Sequence, residues 1–326
     1  MKPLCTAFAA LVFALTTQAA ELELVQTIPL KGKAGGLDHL ALDAKRERLF
    51  VANKANNTLD IVDLKNGKLL QQKPNQTGIQ GIAYAPDLDR VFVGLDSNGL
   101  CNAFDGATYK LLKTVSFKDD ADNVRYNPAK RVVYVAHAEK ALGVIDAKTY
   151  AKKADIKLPA AAEGFQIESK RPRLYLVTPT PSQLVLIDTD KNAVVTTYPI
   201  KSAAGGHPVA LDEANHRVMI GCRKEPMLVV LDTETGKEVA TVPIAGDVDD
   251  VYLDAKRKRL YASCGEGSIV VIEQQGADQY KEVERVPTVK GAKTCFYAPE
   301  TGRLYLAVPR QEGKDGPEVR VYQAKP

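Results

Sequence analysis

Across 326 residues the chain carries 44 Lys and Arg against 40 Asp and Glu, a net charge of +4, and 45% of it is hydrophobic. That balance supplies ample core and demands no polyanionic partner, so where the charge sits matters more than its sum. Trp is absent and aromatics reach only 6%, which weighs against a surface of flat rings that stacks sugars or bases.

The first twenty residues read differently from the rest. Lys2 precedes an apolar run from Leu4 to Leu15, which exits into TTQAA. A short positive start, an apolar centre and a small-residue exit make a secretory signal peptide, expected to be cut after Ala19 or Ala20. The run is shorter than the roughly 20 apolar residues that cross a bilayer, and Cys5 lies too early to be a lipid-modified cysteine at the cut. Residues 1–20 are therefore predicted to be a signal peptide. Residues 21–326 are predicted to form one soluble, monomeric domain, periplasmic or secreted, with no membrane span.

The stretch from Arg48 to Leu70, RLFVANKANNTLDIVDLKNGKLL, sets a unit that returns along the chain. Its opening recurs as RVFVGLD at Arg90, RVVYVAH at Arg131, RLYLVTP at Arg173, RVMIGCR at Arg217, RLYASCG at Arg259 and RLYLAVP at Arg303. Each repeat reads as four short strands. In the sixth these are Asp249 to Leu253, Arg259 to Cys264, Ser268 to Glu273 and a last one around Lys281 to Val286. Segments of this length, rich in Val, Ile, Leu and Tyr and bounded by Gly, Asp, Asn and Pro, are strands rather than helices. Four-stranded units repeating about every 42 residues predict an all-β fold, a seven-bladed β-propeller with four-stranded antiparallel blades. The last repeat supplies only three strands, and Glu21 to Leu30 (ELELVQTIPL) matches the fourth-strand segment Lys237 to Ile244 (KEVATVPI). The N-terminal strand is therefore expected to close blade seven and remove the exposed edges of an open array.

The repeat resembles that of the YVTN-repeat propeller family, which includes the exported YncE-like proteins. Leu49-Phe50-Val51-Ala52-Asn53 and Thr58 to Lys68 match its motif almost in full, blades two and seven are degenerate, and the lack of Trp departs from the WD-type pattern. The resemblance covers the whole chain after residue 20. It implies a binding or scaffold module, with weak nucleic-acid binding proposed for the YncE-like branch, and it brings no shared catalytic motif.

In a propeller the first strand of each blade lines a central channel, so the residue opening it recurs around one mouth: Asp38, Gln80, Asp122, Glu163, His207, Asp249 and Lys293. Uninterrupted pairing of first and second strands, anchored on Asp254 opposite Arg259, places partners 15 residues apart. Asp122 then faces His137, His207 faces Cys222 and Asp249 faces Cys264. With His39 and Asp250 beside the ring, Asp38, His39, Asp122, His137, Glu163, His207, Asp249 and Asp250 are the candidate ligand-binding residues of a concave, titratable mouth. Asp38, Glu163, His207 and Asp249 are candidate ligands for a divalent metal, carboxylates suiting hard cations and His suiting zinc or copper.

The turns at the other rim are basic. Arg46, Arg131, Arg171, Lys256, Arg257 and Lys258 are the candidate residues for a polyanion, bound without sequence preference and weakened by salt. Turn salt bridges Asp43–Arg48, Asp212–Arg217 and Asp254–Arg259 would use part of that charge internally. Cys222 and Cys264 hold equivalent positions on adjacent blades and so point in the same rotational sense; free thiols rather than bridges are expected there, and at Cys101 and Cys295.

No G-x-S-x-G elbow, C-x-x-C, Walker loop or G-x-G-x-x-G fingerprint occurs, and no cofactor is predicted beyond a possible divalent metal. The reading that results is an exported binding or scaffold module presenting its rims and channel mouth to a protein partner or small ligand. The alternatives are a metal-assisted, lactonase-like hydrolase at the acidic mouth and weak, non-specific DNA binding through the basic rim.

Overall fold

A computed structural model describes residues 20–137 and 140–325. The signal pattern, apart from Ala20, lies outside the described residues. The described chain forms seven four-stranded antiparallel sheets. Blade one runs through Leu40–Asp43, Arg48–Asn53, Thr58–Asp63 and Lys68–Lys73. Among the described residues the only helical pieces are single 3-10 turns at Lys54–Asn56 and Asp96–Asn98, and no helix is long and apolar enough to cross a membrane.

The second strands are apolar through their interiors because both of their faces are covered. In Arg48–Asn53, Leu49 and Val51 pack toward blade seven while Phe50 and Ala52 pack toward blade two. The same division by alternate residues yields seven buried clusters, one at each interface between neighbouring blades. Fourth strands face outward; Lys68–Lys73 is largely exposed, and its flanking lysines blunt the edge against pairing with another chain.

The ring closes as the sequence predicts. Leu22–Pro29 pairs antiparallel with Glu318–Ala324, from Leu22 opposite Ala324 to Pro29 opposite Glu318, and completes the sheet begun by Cys295–Ala298 and Arg303–Val308. Ile28 is wholly buried and Leu22 nearly so. Glu21 accepts two hydrogen bonds from the Arg259 guanidinium, at 2.9 and 3.1 Å, which tie the start of the chain to blade six. All four described cysteines are free and buried.

Ile28→Ala removes a fully buried side chain from the closing strand and is expected to cost about 3 kcal/mol. Urea unfolding followed by circular dichroism measures it. A loss within about 0.5 kcal/mol, the range of ordinary surface changes, would show that the closing strand carries little of the stability.

Candidate functional site

The seven first strands meet the mouth through one recurring irregularity. Asp38 and His39 together face Ala52: the Asp38 N–H donates to Ala52 O at 2.8 Å, and the Ala52 N–H to His39 O at 3.0 Å. Asp122 and Asn123 face Ala136 in the same way, and Glu163 and Gly164 face Val177. The register skips between Ile79 and Ile82, between Gly206 and Val209, and between Val248 and Asp250. In blade seven the Ala307 N–H donates to Thr294 O at 2.9 Å. Each residue that opens a first strand is thus the extra residue of a β-bulge, which bends the strand and re-aims its side chain.

This bulge corrects the predicted cross-strand pairs by one residue. Val248, not Asp249, faces Cys264, and Gly206, not His207, faces Cys222. Asp122 is set against Ala136 rather than His137. His137 turns away from the mouth: its Nε2 lies 3.1 Å from Asp155, and its ring packs 5.1 Å from that of Phe117. Small residues let the bulges crowd together around the narrow axis. A Cβ on Gly81 would lie 1.9 Å from the Asp122 carbonyl oxygen, and one on Gly164 would lie 2.4 Å from that of His207.

All seven opening residues, Asp38, Gln80, Asp122, Glu163, His207, Asp249 and Lys293, line one basin of about 360 Å³ together with His39. Asp250 lies deeper in the channel wall, where its Oδ2 accepts the Cys295 N–H at 2.8 Å. The sequence reading missed Lys54 and Arg223, which also line the basin. The signal was available, because a second strand ends beside the start of its first strand. The residue after it, Lys54 following Asn53 or Arg223 following Cys222, returns to the same rim.

His207 is the hub of the mouth. Its Nδ1 lies 3.0 Å from Glu163 and its Nε2 3.0 Å from Asp249. Burial alone would lower its pKa, but the hydrogen bonds to Asp249 and Glu163 outweigh it and raise the imidazole to about 9. Asp249 is raised by burial and lowered further still by the His207 hydrogen bond and by the charges of His207, Arg223 and Lys293. The net effect holds it well below the usual carboxylate range. Arg223 pairs directly with Asp249, Lys293 with Asp247 at 3.1 Å, and Lys54 with Asp96 at 2.8 Å.

Those pairings leave two carboxyl groups over. Burial, then the charges of Asp249 and Asp122, raise Asp38 well above its ordinary value. Burial, then Glu163 and Asp120, raise Asp122 to about 7. Asp250 is likewise pushed up to about 8 by burial and by Asp249, while burial and the Arg125 charge lower His39 to about 3 and keep it neutral. The mouth is therefore not simply acidic. Each cation on it is paired with another carboxylate, and among the described residues Asp38 and Asp122 hold no direct ion pair with a cation. Only the more distant charges of Lys54 and, for Asp122, His207 act on them, while the neutral His39 lies 3.8 Å from Asp38.

At the opposite rim most of the turn cations are also paired. Arg46 bonds Asp43 at 2.8 Å and Asp89 at 2.6 Å, Arg131 bonds Asp87 at 3.0 Å, Arg171 bonds Glu234 at 2.7 Å, and Arg257 bonds Asp254 at 3.0 Å. Lys256 and Lys258 hold no ion pair among the described residues. The predicted turn bridges are replaced by others. Arg48 and Arg217 reach across to the third strand, to Asp63 at 3.0 Å and Asp232 at 2.5 Å, while Arg259 reaches Glu21 and Glu273. Asp43 and Asp254 instead accept the backbone N–H three residues on, from Arg46 and Arg257. An aspartate at a strand end satisfies the turn before it serves the strand beside it.

The fold defines a seven-bladed β-propeller, a class that hosts many unrelated functions. Over 193 residues the chain is 23% identical to the uncharacterized protein YncE of Salmonella typhi and 22% identical to that of Salmonella typhimurium. The alignment spans 57% of this chain and 54% of the length of those relatives. With the seven blades, that likeness supports a YncE-like β-propeller. No family model matches the chain. Among solved structures, the hydrazine synthase of Kuenenia stuttgartiensis superposes with a TM-score of 0.75 at 18% identity, covering 85% of this chain and 94% of that one. The WD40 repeats of RRP9 superpose at 0.80 and 11% identity, covering 94% and 100%. At such identities these likenesses speak for the fold alone.

The raised pKa of His207 has a thermodynamic consequence. Its contribution is fully present below about pH 6.5, the unfolded value, and is lost as pH rises through about 9. Asp122 and Asp250 add a loss at lower pH, since raised carboxyl groups favour the folded state less as pH climbs from about 4 toward their folded values. Comparison of the wild type with His207→Gln isolates the histidine. The wild type's advantage is expected to be about 3 kcal/mol greater at pH 6 than at pH 10, as read from urea melts. An advantage that does not change with pH would refute the charged, doubly bonded imidazole.

Proposed function

We propose that this chain is an exported binding module whose channel mouth takes a small ligand carrying a positively charged amine. A propeller commonly serves to bind or scaffold, and the export rests on the signal pattern of residues 1–20. One observation carries the choice of ligand: the cations of the mouth are each paired elsewhere, while Asp38 and Asp122 hold no direct ion pair with a cation among the described residues and line a basin of about 360 Å³. An incoming ammonium group would favour the ionised form of both carboxyl groups, offsetting the burial and the neighbouring acids that raise them. Gln80, on the opening position between them in chain order, offers a neutral hydrogen-bonding wall, although its Nε2 already donates to Asp96 at 2.9 Å.

The metal-assisted hydrolase has less support. His207 spends both ring nitrogens on Glu163 and Asp249, so it would have to surrender a hydrogen bond to ligate. Among the described residues no three His, Cys, Asp or Glu side chains converge as a metal-binding group. DNA binding has less support for a parallel reason, since most cations of the basic rim are already neutralised by carboxylates.

Calorimetric titration with putrescine and agmatine tests the amine site. Affinity is expected to strengthen from pH 6 to pH 8, as Asp122 loses its proton near pH 7. Asp122→Asn is expected to weaken binding by about tenfold, or about 1.4 kcal/mol. Affinity that ignores both pH and the substitution would rule out a carboxylate-centred amine site.

A further inference from the structure

The other end of the channel has a different chemistry. Below the mouth the channel narrows to a waist where His39, Arg125, Gln166 and Tyr252 meet. Beyond the waist it widens into a cavity of about 380 Å³ walled by Leu40, Leu42, Ile82, Tyr84, Tyr126 and Phe296. The rings are held in place. Tyr252 and Phe296 pack edge to face with centroids 5.8 Å apart, and the hydroxyls of Tyr84 and Tyr126 donate to Asp89 and Asp87 at 3.0 and 2.6 Å. Those two aspartates are in turn neutralised by Arg46 and Arg131.

Arg125 is the exception to the pairing seen elsewhere. It holds no ion pair among the described residues; its Nη1 donates to the Val124 carbonyl at 3.0 Å, and its guanidinium carbon lies 5.8 Å from the centroid of the Phe165 ring. The Asp250 carboxyl, on which the Arg125 charge acts, is kept in its acid form by burial and by Asp249. A guanidinium is a permanent charge with a planar fork suited to a carboxylate. Here that fork sits at the floor of an apolar, ring-walled cavity, beside a Tyr252 hydroxyl that has no hydrogen-bond partner among the described residues.

We propose that this lower cavity is a second ligand site, taking a small aromatic monocarboxylate whose carboxylate pairs with Arg125 and whose ring lies against Tyr252 and Phe296. The charge selects an anion, and one uncompensated cation selects a single carboxylate over a polyanion. The rings select an apolar body, since offset and edge-on aromatic contacts add to the burial of the ligand's own surface. The site is independent of the amine reading of the mouth, from which the waist separates it.

The probes are benzoate, phenylacetate and indole-3-acetate, each titrated into the full chain by calorimetry with benzamide as the uncharged match for benzoate. Saturable one-to-one binding of at least one acid is expected, with benzoate favoured over benzamide by about tenfold or more, as a hydrogen-bonded charge pair provides. Arg125→Gln is expected to abolish that preference while leaving the affinity for benzamide unchanged. Should Arg125→Gln fail to fold, Phe296→Leu, which removes the ring and keeps an apolar side chain, is expected to weaken the acids by about fivefold. Failure of all three acids to bind at millimolar concentration, equal binding of benzoate and benzamide, or Asp122→Asn weakening the acids as much as Arg125→Gln would each overturn the proposal.

Discussion

Everything in this molecule follows from fitting seven sheets around one axis. Strands at the rim of the disc have room, whereas the first strands crowd one another around the axis, close enough that a Cβ on Gly81 or Gly164 would meet the neighbouring blade's backbone. Two devices meet that constraint. Small residues, Ala52, Gly94, Ala136, Gly221, Ser263 and Ala307, occupy the second-strand position facing the bulge in six blades, and Val177 occupies it in blade four. The bulge then gives up one residue of regular pairing so that the chain can enter the channel at an angle. Closure by Leu22–Pro29 holds the ring to seven, and without that strand Glu318–Ala324 would present an unpaired edge.

The bulge is also what makes a site. In an uninterrupted strand the opening residue would alternate into a blade interface, where charge is costly. Displaced by one position, it is turned into the basin, so polar identity is tolerated seven times over without burdening the core. The crowding then couples the seven groups electrically. Glu163, His207 and Asp249 settle into one hydrogen-bonded chain across blades four, five and six. Asp38 and Asp122 are left in a partly desolvated place among other acids, where the neutral form is the cheaper one. The same crowding thus creates both the most stable pairing at the mouth and its least satisfied groups.

Much of this was legible in the sequence. Arginine-led apolar runs recurring at a constant interval fix the blade, and the spare strand from Glu21 to Leu30 fixes the closure, because both are statements about hydrogen-bonded edges that local residue types announce. The ring of opening residues was also legible, being a matter of equivalent positions. Register was not. One extra residue in a strand leaves no mark on composition, so the offset that placed His137 opposite Asp122 ran through a bulge it could not see. Ion-pair partners were hidden for a related reason. Arg48 and Asp43 are neighbours across a turn, yet the side chain of Arg48 reaches Asp63 on the far strand because Asp43 is already engaged by its own turn.

Arg125 shows what equivalence cannot reveal. The corresponding first-strand positions in the other six blades are Ala41, Ala83, Gln166, Ala210, Tyr252 and Phe296, none of them charged, so nothing in the repeat marks this one as special. Its character comes from what surrounds it: a ring at Phe165 from blade four, a neutral acid at Asp250 from blade six and walls of tyrosine from blades two, three and six. A repeat protein writes its architecture in what the blades share. Its binding chemistry must come from what they do not share, because seven identical groups around an axis would only repel one another. The channel of this propeller carries that difference at both ends: among the described residues, Asp38 and Asp122 above the waist and Arg125 below it hold no direct ion pair with an opposite charge.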